Sequence, residues 1–489
     1  MTAVRERMGW TLLVAYLSTG MGQVASQMFF FLVLRYLSLE GVGLYSWAIA
    51  ISTIYAYIMD FGLGVFLVGE LSKTGYGLKS VVRLVLWARL PLVIIGIMGL
   101  EGWARLAHPS FKEYWTLALV ALTSVIQLID LGLISWFQVR QRQNLVNIVT
   151  LVTPLGRLMG IALLLVLGQP MSLHLVVGVS LAAQVMGTVS LFCVAGQEAR
   201  GDKESLSVLG GGLRQLFRRY WERGPLLAMM YSFNILQARL DWILVSVLVS
   251  RVALANYSLV NKVIEVAMLV AAVCARTSFP WFSRDHENEP QLRERLALLR
   301  RLFFVSCGFL GIGLFFWSWP LVQLFFGDKY AAAETAIRLM TMATAVFMLN
   351  QYLLYVVLAH KLEKIYTYLI ILATGLQVVV DLILLPRIGI AGAAVGMLVV
   401  AAGMHAGQLV LLKRHQALTN GEIFRLEAFL LGSIGGLAAA WAAGVGPMVG
   451  TGVAMLLAGF LGLFIVLGSH DREQVRDWMM RRRALLPSV

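Results

Sequence analysis

Long apolar stretches separated by short polar connections recur along the whole chain. Each runs for about 20 residues, the length at which an α-helix crosses the hydrocarbon core of a bilayer. The fourteen stretches lie near 8–35, 44–70, 81–103, 114–138, 146–168, 172–195, 224–249, 255–280, 300–319, 336–359, 365–385, 390–412, 427–445 and 449–468. The pattern therefore predicts about 14 transmembrane helices, and the even number places both termini on one side of the membrane.

Composition excludes a soluble globular protein. The chain is 59% hydrophobic and 13% charged, whereas an ordinary soluble domain carries about 45–50% apolar and about 25% charged residues. No soluble core could bury this much apolar surface. We therefore expect an all-α polytopic membrane protein.

The distribution of Lys and Arg indicates the orientation of the spans. One set of connections carries 28 of these residues and the other set only 7, with five more inside spans. Because cytoplasmic loops carry the excess of Lys and Arg, both termini are predicted to be cytoplasmic, and we expect a bacterial inner membrane protein. The net charge of +14 follows from this topology, so nucleic acid is not expected as a partner.

A weak internal repeat divides the chain into halves. Residues 37–46 align with 249–258 at a constant offset of 212, and both stretches join the first two spans of a six-span unit. Duplicated halves around a central cavity are a transporter architecture. We predict an N-lobe at 1–200, an amphipathic cytoplasmic linker helix at 201–223, a C-lobe at 224–415, and two further spans with a basic tail at 416–489.

Catalytic and metal-site signatures are missing from the sequence. The three cysteines (Cys193, Cys274 and Cys307) lie in or beside apolar runs without CxxC spacing, and the seven histidines are scattered singly. Neither a disulfide nor a metal site is expected. A membrane glycan polymerase or ligase would need a large extracytoplasmic loop, but the longest such loops, near 104–113 and 320–335, are short. We therefore expect no enzymatic activity and no catalytic residues.

Three stretches carry a resemblance to a known family. They are Leu39-Glu-Gly-Val-Gly-Leu-Tyr-Ser-Trp-Ala48 with Asp60-Phe-Gly-Leu-Gly64, then Phe325-Phe-Gly-Asp-Lys-Tyr-Ala-Ala332, and Leu384-Leu-Pro-Arg-Ile-Gly-Ile-Ala-Gly-Ala-Ala394. Together they resemble oligosaccharide-lipid flippases of bacterial polysaccharide biosynthesis, within the multidrug/oligosaccharidyl-lipid/polysaccharide exporter superfamily. The resemblance implies two six-helix lobes enclosing a V-shaped cavity, alternating access, and a polyprenyl-diphosphate-linked sugar as cargo.

Ten charged residues lie at membrane depth, where each costs roughly 2.5–3.5 kcal/mol and should face a cavity or a partner. The cations are Arg89, Arg157, Arg239, Lys262 and Arg276, and the acids are Asp60, Asp130, Asp241, Glu265 and Asp381. The two sets balance, so structural pairing remains an alternative to substrate binding. Lys262 and Glu265 are three residues apart and can meet on one helix face, whereas Arg239 and Asp241 need separate partners.

Two of these arginines lie beside prolines within predicted spans. Arg89 precedes Pro91 in span three, and Arg157 follows Pro154 in span five. A proline bends a helix and frees a backbone carbonyl, and broken membrane helices point to substrate sites. Spans nine and eleven, as bounded above, contain no interior proline. We therefore expect the N-lobe to supply the bending, phosphate-contacting wall.

These patterns give one expected function and one alternative. The predicted flippase would bind the diphosphate and sugar of a lipid-linked oligosaccharide through Arg89, Arg157, Arg239, Lys262, Arg276, Gln23 and Gln27. For the two glutamines the alternative is the commoner role of Gln in membrane helices, joining one helix to another. Gating or coupling would use Asp60, Asp130, Asp241 and Glu265, with Na⁺ or H⁺ as the coupling ion and no other cofactor. Membrane lipids and other glycan-assembly proteins are the expected partners. The alternative is a multidrug or organic-cation antiporter of the same superfamily.

Overall fold

The computed structural model describes residues 2–60, 90–91, 93–99, 101–103, 105–106, 109–139, 142–199, 229, 232–282, 290–360, 362–414 and 420–462. Within these ranges the chain is almost entirely helical, and no strand occurs in them. The predicted linker helix at 201–223 lies outside the described residues. Its existence and the domain boundaries around it stay predictions.

The chain divides into two compact units, Met1–Ser258 and Leu259–Val489, and the division falls inside one helix. The first unit contains α1 (Thr2–Tyr36), α2 (Leu39–Asp60), α3 (Phe111–Val139), α4 (Gln143–Val149), α5 (Val152–Val166), α6 (Leu173–Ala199), two further helical segments at Val93–Trp103 and 232–248, and the start of α7 (Arg251–Phe282). The second contains the rest of α7, α8 (Pro290–Phe326), a 3-10 turn (Gly327–Ala333), α9 (Glu334–Ala359), α10 (Glu363–Ile388), α11 (Ile390–Arg414), α12 (Asn420–Ala442) and α13 (Pro447–Leu461).

The polytopic fold class is confirmed. Eight helical stretches among the described residues are long and apolar enough to cross a membrane. Each of the fourteen predicted apolar stretches coincides at least in part with helix in those residues. Because such helices satisfy their backbone hydrogen bonds internally, they can be surrounded by lipid. The protein is therefore a multi-pass membrane protein.

The internal repeat reappears in the way two helices begin. The α2 helix starts at Leu39 and α7 starts at Arg251, which preserves the offset of 212. Ser38 accepts a hydrogen bond from the backbone N–H of Gly41 at 3.2 Å, and Ser250 accepts one from Ala253 at 3.0 Å. Both serines thus cap the first turn by satisfying an otherwise unpaired donor. Equivalent positions in the two halves fold in the same way.

The prolines within helices are not confined to the N-lobe, in contrast to what the sequence suggested. Pro320 lies inside α8 and Pro386 inside α10, each one residue past the end of the predicted span, so the helices that contain spans nine and eleven do have an interior proline. Both helices continue beyond the end of the apolar run, because a lost backbone hydrogen bond can be compensated in a membrane helix. Span five is instead interrupted at residues 150–151, between α4 and α5. Pro154 follows in the first turn of α5, where its missing N–H costs no intrahelical bond.

The last two helices belong to the core of the second unit. Phe315 and Phe316 of α8 are buried in one cluster with Leu349 of α9, Phe429 of α12 and Ala458 of α13. Burying an aromatic or leucine side chain contributes about 1.5–3 kcal/mol, so this cluster anchors α12 and α13 against α8. The helices predicted to fall outside the repeat are integral to this unit.

A one-residue hairpin joins α10 to α11. Gly389 separates the two helices with a φ of 59°, a conformation that costs little only for glycine. A Cβ atom on Gly392 would lie 2.7 Å from the carbonyl carbon of Leu384, so the two backbones approach closely. This explains the glycines of the Leu384–Ala394 signature.

Candidate functional site

Three helices of the first unit meet at a buried polar network. The guanidinium of Arg157 on α5 donates through Nη2 to Oε1 of Gln184 on α6 at 2.9 Å. Gln184 in turn donates through Nε2 to Oδ2 of Asp130 on α3 at 2.8 Å. Gln184 and Asp130 are buried, and Arg157 is partly buried. The predicted residues Arg157 and Asp130 are therefore brought together, but through an amide that sequence reasoning missed.

The α6 helix presents a polar stripe to its neighbours. Ser180, Gln184 and Thr188 are spaced four residues apart, hence on one helix face, and all three are buried. Ser180 and Thr188 donate to the backbone carbonyls of Val176 and Gln184 at 2.8 and 3.0 Å. The hydroxyl of Tyr45 on α2 lies 3.2 Å from that of Ser180. The four-residue spacing of polar side chains in an apolar span was the available signal for this stripe.

Among the described residues, no carboxylate pairs directly with the charge of Arg157. The ion pairs among the described residues do not include it. Its Nε is buried without a hydrogen-bond acceptor, and Oδ1 of Asp130 is likewise buried without a donor. Gln184 holds the guanidinium in place while the Nε of Arg157 stays without an acceptor. The planar guanidinium group, with its N–H donors arranged as a fork, matches the geometry of a phosphate or carboxylate.

Arg239 and Asp241 have separate partners, as the sequence predicted. Arg239 lies over the ring of Trp242, with Cζ 4.5 Å from the ring centroid. Asp241 is fully buried and accepts hydrogen bonds from the Tyr257 hydroxyl at 2.5 Å and from the backbone N–H of Trp242 at 2.8 Å. These bonds make Asp241 a connector between the helical segment 232–248 and α7.

Lys262 and Glu265 of α7 form an ion pair within one turn, which confirms the predicted contact. The other predicted site residues are only partly described. Gln27 is buried, Gln23 is exposed, and Asp60 is the partly buried last residue of α2. Arg89 lies outside the described residues, as does the side chain of Arg276. The substrate-binding and gating roles given to all these residues stay predictions.

A second cluster in the first unit uses an arginine that the sequence placed in a connection. Arg251, the first residue of α7, pairs with Glu113 of α3 at 3.0 Å and lies over the ring of Trp47, with Cζ 3.9 Å from the centroid. A Cβ atom on Gly43 would lie 1.9 Å from the carbonyl oxygen of Arg251, so α2 and α7 touch backbone to backbone. The cluster ties the starts of α2, α3 and α7 together.

An apolar cavity of about 730 Å³ lies beside this cluster in the first unit. Its lining includes Tyr55, Trp103, Tyr114 and Trp115 together with the carboxylate of Glu101. The Tyr114 hydroxyl donates to Glu101 at 2.5 Å. An aromatic wall with one acid can hold an apolar chain or an organic cation.

No group of three or more potential metal ligands occurs among the described residues. The polar network of α3, α5 and α6 places one arginine among buried polar side chains, which is a suitable arrangement for binding an anion.

The fold is similar to that of known transporters. Lipid II flippase MurJ in an inward closed conformation matches with a TM-score of 0.68 at 12% identity, covering 96% of this chain and 100% of that one. An inward-facing multidrug resistance MATE family transporter of the MOP superfamily matches with 0.63 at 11% identity, covering 83% and 100%. A MATE transporter of Vibrio cholerae matches with 0.52 at 13% identity, covering 83% and 96%. At these identities the likeness shows the fold alone.

Sequence comparison identifies the family. No curated protein matches the chain, but the family model described as polysaccharide biosynthesis protein matches residues 7–286. The match includes the opening spans that carried the resemblance and all of the polar network. Because it covers more than half of the 489 residues, the chain belongs to the polysaccharide biosynthesis protein family.

Proposed function

We propose that this protein is a flippase that moves a polyprenyl-diphosphate-linked oligosaccharide from the cytoplasmic to the outer leaflet of a bacterial inner membrane, by alternating access and with both termini in the cytoplasm. Membership of the polysaccharide biosynthesis family and the MurJ-like fold support this proposal. The observation that carries it is the Arg157 guanidinium, held by a neutral amide instead of a carboxylate. A cation at membrane depth that is held by an amide, with no ion pair to another described residue, is suited to a phosphate.

The physical task of such a protein is to lower a desolvation barrier. Unsatisfied polar groups cost several kcal/mol each in hydrocarbon, so a diphosphate and its sugars cannot cross lipid unaided. Arg157 and the polar stripe of α6 would replace water around the headgroup while the prenyl chain stays in lipid. Outward movement of two negative charges is also downhill by roughly 4–5 kcal/mol per 100 mV in an inside-negative potential.

No bond is made or broken in this process, so the proposal assigns no catalytic residue. A countermoving Na⁺ or H⁺ would change the driving force, and the acids Asp60, Asp130, Asp241 and Glu265 are the candidates for carrying it. Asp241 is the weakest of the four, because its two carboxylate oxygens already accept hydrogen bonds. Other glycan-assembly proteins remain the proposed partners.

The test is a flipping assay in liposomes containing a fluorescent polyprenyl-diphosphate disaccharide, with an impermeant quencher outside. A hydrogen bond to a charged group contributes about 1.5–3 kcal/mol, so R157A should reduce the initial rate at subsaturating substrate by roughly 10- to 100-fold. R142A is the matched control, because Arg142 makes an exposed surface ion pair with Glu198. It should flip at the wild-type rate.

Equal rates for R157A and wild type, at equal reconstitution, would contradict the role of Arg157. A second candidate function, export of organic cations, is favoured by the aromatic cavity with Glu101 at its edge. The two functions separate in the same liposomes. If the wild-type protein left the glycolipid unflipped but transported a fluorescent organic cation, and E101Q abolished that transport, the antiporter would be the correct function.

A further inference from the structure

A buried histidine joins three helices of the second unit. His405 of α11 is 4% exposed and lies between Asn350 of α9 and Glu427 of α12. Its Nδ1 is 3.0 Å from Oδ1 of Asn350, and its Nε2 is 2.8 Å from Oε1 of Glu427. Both ring nitrogens therefore face an oxygen atom. No part of the proposed transport function uses this arrangement.

The proton on Nδ1 is determined by the neighbouring amide. Asn350 donates through Nδ2 to the backbone carbonyl of Ala401 at 2.8 Å. A carbonyl can only accept, so this bond identifies the amide nitrogen and leaves Oδ1 facing His405 as an acceptor. Nδ1 must consequently carry a hydrogen atom. A neutral imidazole has only one such hydrogen, so its Nε2 would then be bare.

A bare Nε2 cannot face an ionised carboxylate at 2.8 Å without repulsion, because both atoms are acceptors. One further proton must lie between them, either on the ring, giving imidazolium and carboxylate, or on the carboxyl group, giving imidazole and carboxylic acid. We propose that His405 and Glu427 form a proton-binding site, in which the pair holds one proton more than a neutral ring and an ionised glutamate. Proton binding here does not depend on the identity of the transported molecule.

The His405–Glu427 pair is accessible from one side of the helix packing. A groove of about 560 Å³ between α9, α11 and α12 exposes it, and Lys413 of α11 is the other charged residue in the lining. The Glu427 side chain is 29% exposed, against 5% for His405, so protons exchange through Glu427. By the predicted topology, Lys413 lies at the cytoplasmic end of α11. If that topology holds, the groove extends toward the cytoplasmic end of α11.

The other described elements around His405 contribute mainly neutral side chains. From α8, the ring of Phe304 lies 6.5 Å from that of His405, and Cys307 belongs to the same buried cluster as Phe304. From α9, the neutral Asn350 faces the ring. Loss of the proton would leave two acceptors in contact and would weaken the attachment of α12 to α11. The contact should thus be present at low pH and lost as the pH rises.

The experiment is ¹⁵N nuclear magnetic resonance of the full-length protein, labelled at histidine and placed in lipid bilayers, between roughly pH 5 and 9. The His405 signals are assigned by subtraction of the H405Q spectrum. We expect Nδ1 to be protonated at the lower pH, together with either a protonated Nε2 or a hydrogen-bonded one facing carboxylic acid. In E427Q the neutral amide can donate to a bare Nε2, so the pair no longer needs an extra proton, and the signature of that proton should disappear while Nδ1 stays protonated.

His360 is the matched control, because its Nδ1 also faces a carbonyl oxygen, that of Val356 at 2.8 Å, and no carboxylate pairs with it among the described residues. Its signals should lack the signature of a proton shared with a carboxylate, and they should disappear in H360Q. A neutral His405 ring with its only proton on Nε2 over the whole range would overturn the proposal. That measurement uses wild-type protein, so it decides the matter even if E427Q does not fold.

A second measurement tests the contact between α11 and α12. The melting temperature of the wild type should fall on raising the pH more than that of H405Q/E427Q, whose two amides can bond without a shared proton. Parallel curves for the two proteins would refute the link between the proton and the attachment of α12.

Discussion

Gln184 separates the two charges of the polar network, so its removal tests how that network is held. Leucine has a similar volume but no polar atom. In Q184L, Arg157 loses the acceptor at 2.9 Å and Asp130 loses the donor at 2.8 Å. Hydrogen bonds to charged groups contribute about 1.5–3 kcal/mol each, which gives about 3–6 kcal/mol for the pair. Interhelical hydrogen bonds in membranes, however, average only about 0.6 kcal/mol, because the released groups find new partners.

The local geometry favours the larger value. The hydroxyls of Ser180 and Thr188 donate to carbonyls of their own helix. Only Thr188 of these two also lies within hydrogen-bonding reach of Asp130, so at most one of them could replace the lost donor. Asp130 already has one oxygen without a donor, and Arg157 already has one nitrogen without an acceptor. New pairing is therefore restricted. We expect Q184L to destabilise the first unit by about 3 kcal/mol or more.

The assay is thermal unfolding in detergent, monitored by the fraction of monodisperse protein. For a unit of this size, 1 kcal/mol corresponds to about 2–4 °C in Tm, so a decrease of roughly 6 °C or more is expected. The control Q138L changes an exposed glutamine at the end of α3 and should stay within about 0.5 kcal/mol of wild type. A Tm for Q184L equal to that of Q138L would refute the reasoning.

A fully apolar replacement distinguishes stability from function. Exchanging all three side chains in D130L/R157M/Q184L removes every charge that Q184L strands, and such replacements are often neutral or stabilising. We expect the triple variant to recover most of the lost Tm and to remain inactive in the flipping assay. An active triple variant would mean that this network is structural only.

Two further predictions concern helix starts and turns. R251A should lower stability by about 1–2 kcal/mol, since it removes a partly exposed ion pair and a cation–π contact, and a double-mutant cycle with E113A should measure a nonzero coupling. Additive effects in that cycle would rule out the ion pair as a stabilising contact. G389A should cost about 1–3 kcal/mol, because its φ of 59° is strained for alanine. The control G375A, in the interior of α10 with no atom within 4 Å of the added Cβ, should be neutral or slightly stabilising. Equal Tm values for the two glycine variants would contradict the strain argument.

The spans were predictable because their length is determined by the bilayer and their composition by lipid. The same reasoning misplaced helix ends at Pro320 and Pro386, because an apolar run ends where lipid ends, whereas a helix ends where its hydrogen bonds do. The capped starts of α2 and α7 were visible as an offset of 212 residues. Local chemistry within about one turn was therefore accessible from sequence.

Partners between helices were not accessible in the same way. Lys262 and Glu265 could be paired because three residues separate them on one helix. Arg157 and Gln184 are 27 residues apart and meet only because α5 and α6 are rotated toward each other. That rotation depends on packing along the full length of both helices.

The histidine pair escaped prediction for a related reason. A search for metal ligands looks for several histidines at short spacing, and His405 is single. Its partner Glu427 is 22 residues away on another helix. Only the three-dimensional arrangement shows that both ring nitrogens face acceptors.

The matching serine caps at Ser38 and Ser250 also bear on the history of the chain. An ancestral duplication would place a tyrosine at the same position of each copy, Tyr45 and Tyr257, and both remain. One hydroxyl now contacts the neutral Ser180 and the other the carboxylate of Asp241. The copies have kept a common backbone frame while their side chains have diverged in charge. The shared tyrosine hydroxyl could serve either partner, so the two halves now differ in the group that each presents to it, an alcohol in one and a carboxylate in the other.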